Sequence, residues 1–218
     1  MSEPVRTHWD GEVLSRYERA LWDGRPLRVR DAEGGTLPFD VNRWLREPDA
    51  ADETMLSRCD GPTLDVGCGP GRLVAALTGR GIPALGVDVA GTAVAIARSC
   101  GALALCRSIY DRMPGVGRWQ VALLADGNIG IGGDPARLLT RLHELLSRNG
   151  RAIIEVEAGD EVSEFTATVL GADGRTVASF PWARLGALPL IDAAVPLGYR
   201  VVDRWSSAGR HFVQVRKR

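Results

Sequence analysis

Residues 63–73, Thr-Leu-Asp-Val-Gly-Cys-Gly-Pro-Gly-Arg-Leu, constrain the fold of this chain more than any other segment. Apolar residues lead to Asp65, glycines follow at three alternate positions, and an apolar helical run begins at Leu73. Glycine lacks the Cβ that would keep a ligand away from the backbone, and it tolerates the positive φ of a tight turn. The segment therefore predicts a strand, a glycine turn and a helix, with a ligand at the turn.

A second acidic residue follows at a spacing that suits a βαβ unit. Asp88 closes another apolar run, Pro83-Ala-Leu-Gly-Val, and a helical stretch separates it from Asp65. Two parallel strands that each end in a carboxylate place both carboxylates on the same edge of the sheet. In open α/β sheets that edge binds ligands, so the pattern indicates a nucleotide-type cofactor site.

The glycine spacing discriminates between cofactors. A dinucleotide fingerprint, G-x-G-x-x-G, would require glycine at position 72, which is Arg72, whereas the third glycine is Gly71. The carboxylate of Asp65 before the turn also suits a cationic ligand group better than a pyrophosphate. The chain contains no Gly-Lys-Ser/Thr sequence, which argues against a nucleoside triphosphate site.

The segment Asp-Val-Gly-Cys-Gly-Pro-Gly resembles the first motif of class I methyltransferases that use S-adenosyl-L-methionine, and Gly-Val-Asp-Val at 86–89 resembles their second. The resemblance implies that Asp65 lies near the methionine part of the cofactor and that Asp88 binds the ribose hydroxyls. The turn from Gly67 to Gly71 would supply backbone contacts. The implied cofactor-binding set at these two motifs is Asp65, Gly67, Cys68, Gly69, Gly71, Asp88 and Val89.

Further contacts are expected after the third and fourth strands. Relatives commonly place an acidic adenine-binding residue where this chain has Ser108, so Ser108 or the backbone of Ile109 is the candidate, with Asp111 as a competitor. The segment 126–134, Asp-Gly-Asn-Ile-Gly-Ile-Gly-Gly-Asp, resembles one found in a group of actinobacterial methyltransferases. By fold analogy Asp126 and Tyr110 lie beside the methyl group and are candidate catalytic residues.

Histidines and metal ligands contribute little to the predicted chemistry. Methyl transfer requires mainly alignment of the acceptor with the methyl group, and it requires a base only if the acceptor must lose a proton. His8 is the histidine chosen as a candidate base, while His143 is expected on the solvent face of the 135–148 helix and His211 is interpreted as structural. No ligand spacing for a metal is visible, so no metal is predicted.

Regular alternation of strand and helix signals predicts a doubly wound α/β sheet. The resemblance implies a Rossmann-like, seven-stranded, mostly parallel sheet that ends in an antiparallel C-terminal hairpin. Residues 61–218 are expected to form the S-adenosylmethionine-binding domain, with a β-hairpin inserted near 164–180. Strands are expected at 62–66, 83–88, 102–106, 120–125, 151–157, 199–205 and 211–216, and helices at 71–79, 91–100, 135–148 and 186–197.

Residues 1–60 lack this alternation and are rich in tryptophan, so they are expected to form an N-terminal helical cap. Residues 11–22 predict an amphipathic helix with Val13, Tyr17 and Leu21 on one stripe. Such a segment either closes over the cofactor as a lid or simply packs its aromatic residues onto the domain. The sequence leaves both interpretations open.

Charge and composition limit the classes of partner that this chain is expected to bind. The 27 basic and 27 acidic residues give no net charge, which argues against attraction to nucleic acid or anionic lipid. No apolar run is long enough to cross a bilayer, and four scattered cysteines are typical of reduced thiols. We expect a cytoplasmic monomer or homodimer that methylates a small-molecule substrate. An RNA or protein methyltransferase and a non-catalytic S-adenosylmethionine-binding module are the alternatives.

Overall fold

The computed structural model describes residue 9, residues 11–37 and residues 39–218. Two β-sheets organise this part of the chain. The helices are α1 Gly11–Asp23, α2 Val41–Trp44, α3 Ala50–Leu56, α4 Arg72–Gly79, α5 Gly91–Ser99, α6 Pro135–Leu145 and α7 Ala187–Ala194, with 3₁₀ turns at Asn128–Gly133 and Val195–Leu197. The strands are β1 Val29–Arg30, β2 Thr36–Leu37, β3 Thr63–Val66, β4 Ala84–Asp88, β5 Ala104–Cys106, β6 Trp119–Leu124, β7 Leu146–Val156, β8 Val162–Leu170, β9 Thr176–Leu185, β10 Tyr199–Ser207 and β11 Arg210–Lys217.

The larger sheet has seven strands in the order β10-β11-β7-β6-β3-β4-β5. Strands β3 to β7 are parallel, while β11 runs antiparallel to both β7 and β10. The predicted fold class is therefore confirmed. Because β3 and β4 pair in register, with Asp65 opposite Gly86, the glycine turn and Asp88 meet at the carboxyl edge of the sheet.

Apolar residues fill both faces of this sheet. Leucines of α6 pack with Ile154 and Tyr199 on one face, and Leu73 and Leu77 of α4 pack with Met55 and Phe212 on the other. Helix α6 begins as its sequence predicts, because Asp134 accepts a hydrogen bond from the Arg137 amide and proline follows at the first helical position.

The predicted end of that helix is wrong. We expected a helix over 135–148, yet it ends at Leu145 and the chain continues directly into β7. Gly150 allows close backbone packing, since an added Cβ would lie 2.9 Å from the Trp119 carbonyl oxygen. Leu146, which the helical pattern assigned to the helix, instead pairs with Trp119 of β6.

The smaller sheet joins the N-terminal segment to the inserted hairpin. Its strands are antiparallel in the order β2-β1-β8-β9, and the hairpin from β8 to β9 is longer than the expected 164–180. The N-terminal segment is therefore not purely helical, since it also contributes β1 and β2. Its apolar side chains, including Val13, Tyr17 and Val29, share one buried cluster with Phe180 and Trp182 of β9.

Candidate active site

The glycine turn is held open by left-handed backbone and by one side chain from a distant loop. Gly67 has a φ of 72°, and a Cβ there would lie 2.6 Å from Asn128 Nδ2. That Nδ2 donates hydrogen bonds of 2.9 Å to the carbonyl oxygens of Val66 and Gly67. Asn128 therefore couples the loop after β6 to the turn after β3, a role that sequence analysis did not identify.

The carboxylate of Asp88 lies against the same turn. Its oxygens accept hydrogen bonds from the backbone amides of Gly69, at 2.9 Å, and Ala90, at 2.8 Å. Burial raises the pKa of Asp88, while these two amide hydrogen bonds act in the opposite direction. An ionised carboxylate retains acceptor capacity beyond these two bonds, so it can also accept from a diol.

Asp65 occupies a different environment. It is 2% exposed and lies under the turn, outside the lining of the adjacent cavity. Burial raises the pKa of Asp65 to about 7, against the opposing charge of Arg72 and with the repulsion of Asp126 and Asp88. A carboxyl group near this pKa responds strongly to any cation placed close to it.

The segment after β5 is ordered by its own polar groups. Ser108 Oγ accepts a hydrogen bond from the Tyr110 amide at 3.2 Å, and Asp111 accepts one from the Ser108 amide at 3.1 Å. Tyr110 stacks under the guanidinium of Arg137 and donates a hydrogen bond to the Ile131 carbonyl. Burial raises the pKa of Tyr110 to about 12, so its hydroxyl stays protonated at neutral pH.

Asp126 ends β6 in the left-handed region, with a φ of 55° that is uncommon for a non-glycine residue. Each of its carboxylate oxygens accepts from a guanidinium, Oδ1 from Arg43 Nη1 at 2.5 Å and Oδ2 from Arg72 Nη1 at 2.8 Å. Its amide donates to Glu155 at 2.6 Å. Both carboxylate oxygens are thus paired with guanidinium groups, which tie the loop after β6 to Arg43 and Arg72.

These pairs belong to a network of alternating charges, which we call the arginine network. Asp52 of α3, 1% exposed, accepts hydrogen bonds from Arg43, Arg72 and Arg210 at 2.8–3.2 Å. Although burial alone would raise its pKa, the hydrogen bonds from Arg72 and Arg210 lower the pKa of Asp52 to about 2. Its members are Arg43, Asp49, Asp52, Arg72, Asp126, Glu155 and Arg210.

The N-terminal segment covers the glycine turn with aromatic side chains. Tyr17 packs edge-to-face on Trp9 and Trp44 at 5.3 and 5.9 Å, and Phe39 contacts Trp44 and Trp182 at 5.8 and 5.5 Å. A Cβ on Gly69 would lie 3.3 Å from the Tyr17 hydroxyl oxygen. Glu18 of α1 also accepts a hydrogen bond from the Thr92 amide at the start of α5, which anchors the segment to the main sheet.

Between these aromatic residues and the sheet edge lies a cavity of about 950 Å³, measured to its open mouth. It brings together most residues of the predicted site, but Asp65 and Gly71 do not line it, and His8 lies outside the described residues. The predicted residues that line the cavity are Gly67, Cys68, Gly69, Asp88, Val89, Ser108, Ile109, Tyr110 and Asp126.

A second cavity, of about 1120 Å³, adjoins the first. The two share Phe39, Trp44, Asp126 and Trp182 in their walls. The second cavity also reaches the ends of β7 and β11, where it is lined by Glu155, Glu157, Arg210 and His211. His211 therefore lies at a cavity, although its sequence position suggested a structural role.

Within the described ranges, no three histidine, cysteine or acidic side chains are grouped so as to hold a metal ion. The same ranges contain no helix with the length and apolar character of a membrane span.

Comparison with known proteins was made at the level of sequence and of structure. No protein-family model and no curated protein matches the sequence. In structure, a methyltransferase from Bacteroides fragilis, described as S-adenosylmethionine-dependent and crystallised with S-adenosylhomocysteine, superposes with a TM-score of 0.74 and 16% identity. The superposition covers 97% of this chain and 96% of that one. The chain has the fold of these methyltransferases.

Two other solved structures support the same fold. The 1,6-didemethyltoxoflavin-N1-methyltransferase from Burkholderia thailandensis, with 1,6-didemethyltoxoflavin and S-adenosylhomocysteine bound, has a TM-score of 0.65 at 18% identity, over 100% of this chain and 92% of that one. The glycopeptide N-methyltransferase MtfA, complexed with S-adenosylmethionine, has a TM-score of 0.60 at 14% identity. This superposition covers 79% of this chain and 88% of that one.

Proposed function

We propose that this chain is an S-adenosylmethionine-dependent methyltransferase whose acceptor is a small molecule. The observation that carries the proposal is the cavity formed by the glycine turn, Asp88 and the aromatic N-terminal segment, with a second cavity behind a shared wall. The methyltransferase fold and the neighbours crystallised with S-adenosylmethionine or S-adenosylhomocysteine are consistent with it.

The residues present fit this cofactor. Gly67 and Gly69 line the cavity, and the absence of a Cβ lets Asn128 and Tyr17 pack against the turn that would hold the cofactor. Asp88 has acceptor capacity for ribose hydroxyls, and Ser108 with Ile109 lines the side expected for adenine. Asp65, beneath the turn, would provide a carboxyl group close to the cationic methionine part of the cofactor. When bound, S-adenosylmethionine supplies an electrophilic methyl group that passes in line to an acceptor atom.

The protein's own contribution would be alignment and exclusion of water. The aromatic residues Trp9, Tyr17 and Trp44 cover the cavity, which would hold the acceptor against the methyl group and remove solvent. The arginine network would fix the loop after β6, and hence the wall that the two cavities share. We accordingly propose residues 1–60 as a lid and residues 61–218 as the cofactor-binding domain, with Asp126 and Tyr110 as positioning residues at the acceptor side.

The size of the site favours a small acceptor over RNA or protein. Both cavities lie beneath the N-terminal segment and the inserted hairpin, and Phe39, Trp44, Asp126 and Trp182 line both of them. A macromolecule would have to displace that cover to bring an acceptor atom to Asp126. The chain also has no net positive charge to attract RNA.

Isothermal calorimetry against S-adenosylmethionine, S-adenosylhomocysteine and NADH tests the cofactor assignment. We expect micromolar binding of the first two and none of NADH, and the opposite result would refute the proposal. Transfer of a radiolabelled methyl group to small aromatic acceptors, total RNA and a protein extract then tests the acceptor class. Labelling of RNA or protein alone would replace the small-molecule assignment, and binding without any transfer would favour a non-catalytic module.

A further inference from the structure

The second cavity has a wall suited to a flat ligand. Phe39, Trp44 and Trp182 form the side that it shares with the first cavity, and the Phe39–Trp182 ring centroids lie 5.5 Å apart. Ile129, Val156 and Leu185 add apolar surface from the sheet edge and from β9. Planar aromatic ligands gain most from such a wall, because they can stack on the rings or meet them edge-on.

The charges in this cavity are unequally compensated. Arg43 pairs with Asp126, Arg210 pairs with Glu155 at 2.5 Å, and Arg184 pairs with Asp31 at 3.0 Å. Each guanidinium that lines the cavity is thus paired with a carboxylate, so the positive charge of all three arginines is compensated within the protein.

Glu157 differs from the paired carboxylates that line this cavity. It follows the end of β7, is exposed and lines the cavity, and its carboxylate has no hydrogen-bond or ion-pair partner among residues 9, 11–37 and 39–218. Asp40 also lines the cavity, but it caps α2 by accepting a hydrogen bond from the Arg43 amide. The polar groups still available here accept hydrogen bonds from cations and N–H donors. Trp44 and Trp182 also line this cavity, and indole rings attract cations placed over their faces.

From this combination we infer that the second cavity takes the methyl acceptor, and that the acceptor is a planar heteroaromatic amine that directs N–H donors at Glu157. The inference rests on the proposed function, because it assigns to the first cavity the cofactor that would face this acceptor. His211 adds a directional group beside Glu157. Its Nδ1 lies 2.7 Å from Ser206 Oγ, which fixes the ring and leaves Nε2 for a ligand.

Binding of a simple probe tests the inference without knowledge of the natural acceptor. We would titrate 2-aminobenzimidazole, a planar amine, and naphthalene-2-carboxylate, a flat anion of similar size, into protein saturated with S-adenosylhomocysteine. The amine is expected to bind at least about fivefold more tightly than the anion, and Glu157→Gln is expected to weaken the amine by about fivefold. Glu161→Gln is the matched control, since Glu161 is exposed nearby but does not line the cavity.

Equal or tighter binding of the carboxylate would overturn the inference, and so would an unchanged affinity of Glu157→Gln for the amine. Absence of amine binding up to its solubility limit would overturn it as well. The titration is repeated without S-adenosylhomocysteine, so that failure of the proposed function can be distinguished from failure of the acceptor assignment. If S-adenosylhomocysteine does not bind, the proposed function fails, whereas loss of amine selectivity in a protein that binds S-adenosylhomocysteine removes only the acceptor class.

Discussion

At the scale of single residues, Asp65 shows a conflict between stability and site chemistry. Its folded pKa of about 7 lies above the value of about 3.9 for an unfolded chain. The folded protein therefore holds this proton more tightly, which contributes stability at low pH that is lost as pH rises from about 4 to about 7. A neutral residue would avoid this loss, so the acidic group is kept at a cost to folding.

Asp65→Asn should remove that cost. We expect the free energy of unfolding in urea, relative to the unmodified protein, to rise by roughly 2 kcal/mol between pH 5 and pH 8. If Asp65 serves a cationic part of the cofactor, the same variant should bind S-adenosylmethionine more weakly. Asp23→Asn, at an exposed position that ends α1, is the control and should show no such pH dependence. A pH-independent difference for Asp65→Asn would show that the carboxyl group titrates normally.

Asp88 supports the cofactor assignment at the same scale. Asp88→Ala should weaken S-adenosylmethionine binding by more than about 1.5 kcal/mol, because it removes charged acceptors for the ribose and the brace on the Gly69 amide. Calorimetry measures the affinity, and near-UV circular dichroism checks that the variant remains folded. Asp192→Ala, at an exposed position of α7 outside the lining of the cavity, is the comparison. Affinity unchanged in Asp88→Ala would refute the ribose role.

At the scale of elements, the arginine network joins the N-terminal segment to the sheet edge. Its members come from α2, α3, α4, β7, β11 and the ends of β6, so these elements cannot separate without breaking ion pairs. Removing one partner from a buried pair leaves an uncompensated charge, which typically costs 3–5 kcal/mol, whereas an exposed pair contributes about 0–1 kcal/mol. Helix α4 carries both kinds of arginine, one at each end.

Arg72→Met should therefore destabilise the protein by about 3–5 kcal/mol, since Asp52 and Asp126 each lose a buried partner. Arg80→Met, at the other end of α4, removes only an exposed pair with Glu53 and should cost less than about 1 kcal/mol. Urea unfolding of both variants at neutral pH measures the difference. Equal losses would show that the buried network adds no more stability than a surface pair.

Secondary-structure elements could be predicted where the pattern that encodes them lies within one short stretch of sequence. Strands β3 and β4 and helix α5 lie within one or two residues of the predicted bounds. Their signals, apolar runs and glycine turns, are formed by residues that are neighbours in the sequence. Strands β1 and β2, of two residues each, were missed because β1 forms by pairing with the distant β8 and β2 forms by pairing with β1. The network was missed for the same reason: Arg210 reaches Asp52 across 158 positions, and no local pattern encodes that contact.

At the scale of the whole molecule, the N-terminal segment and the inserted hairpin form one cover over the carboxyl edge of the main sheet. Strand β1 pairs with β8, and Phe39 packs on Trp182, so the two parts share both backbone and side-chain contacts. The first cavity lies under this cover, which contributes Trp9, Tyr17, Phe39, Trp44 and Trp182 to its lining. Opening on the time scale of ligand exchange is therefore expected of α1 and α2 if they act as a lid.

Hydrogen exchange distinguishes a lid from plain packing. Saturating S-adenosylhomocysteine should slow exchange of the α1 amides by at least about tenfold, because a bound ligand suppresses the local opening through which they exchange. Helix α7, which does not line the first cavity, is the internal control and should change much less. If α1 and α7 gain the same protection, the ligand stabilises the molecule only as a whole. The aromatic segment would then be a fixed part of the core, and entry would have to occur through the open mouth of the cavity.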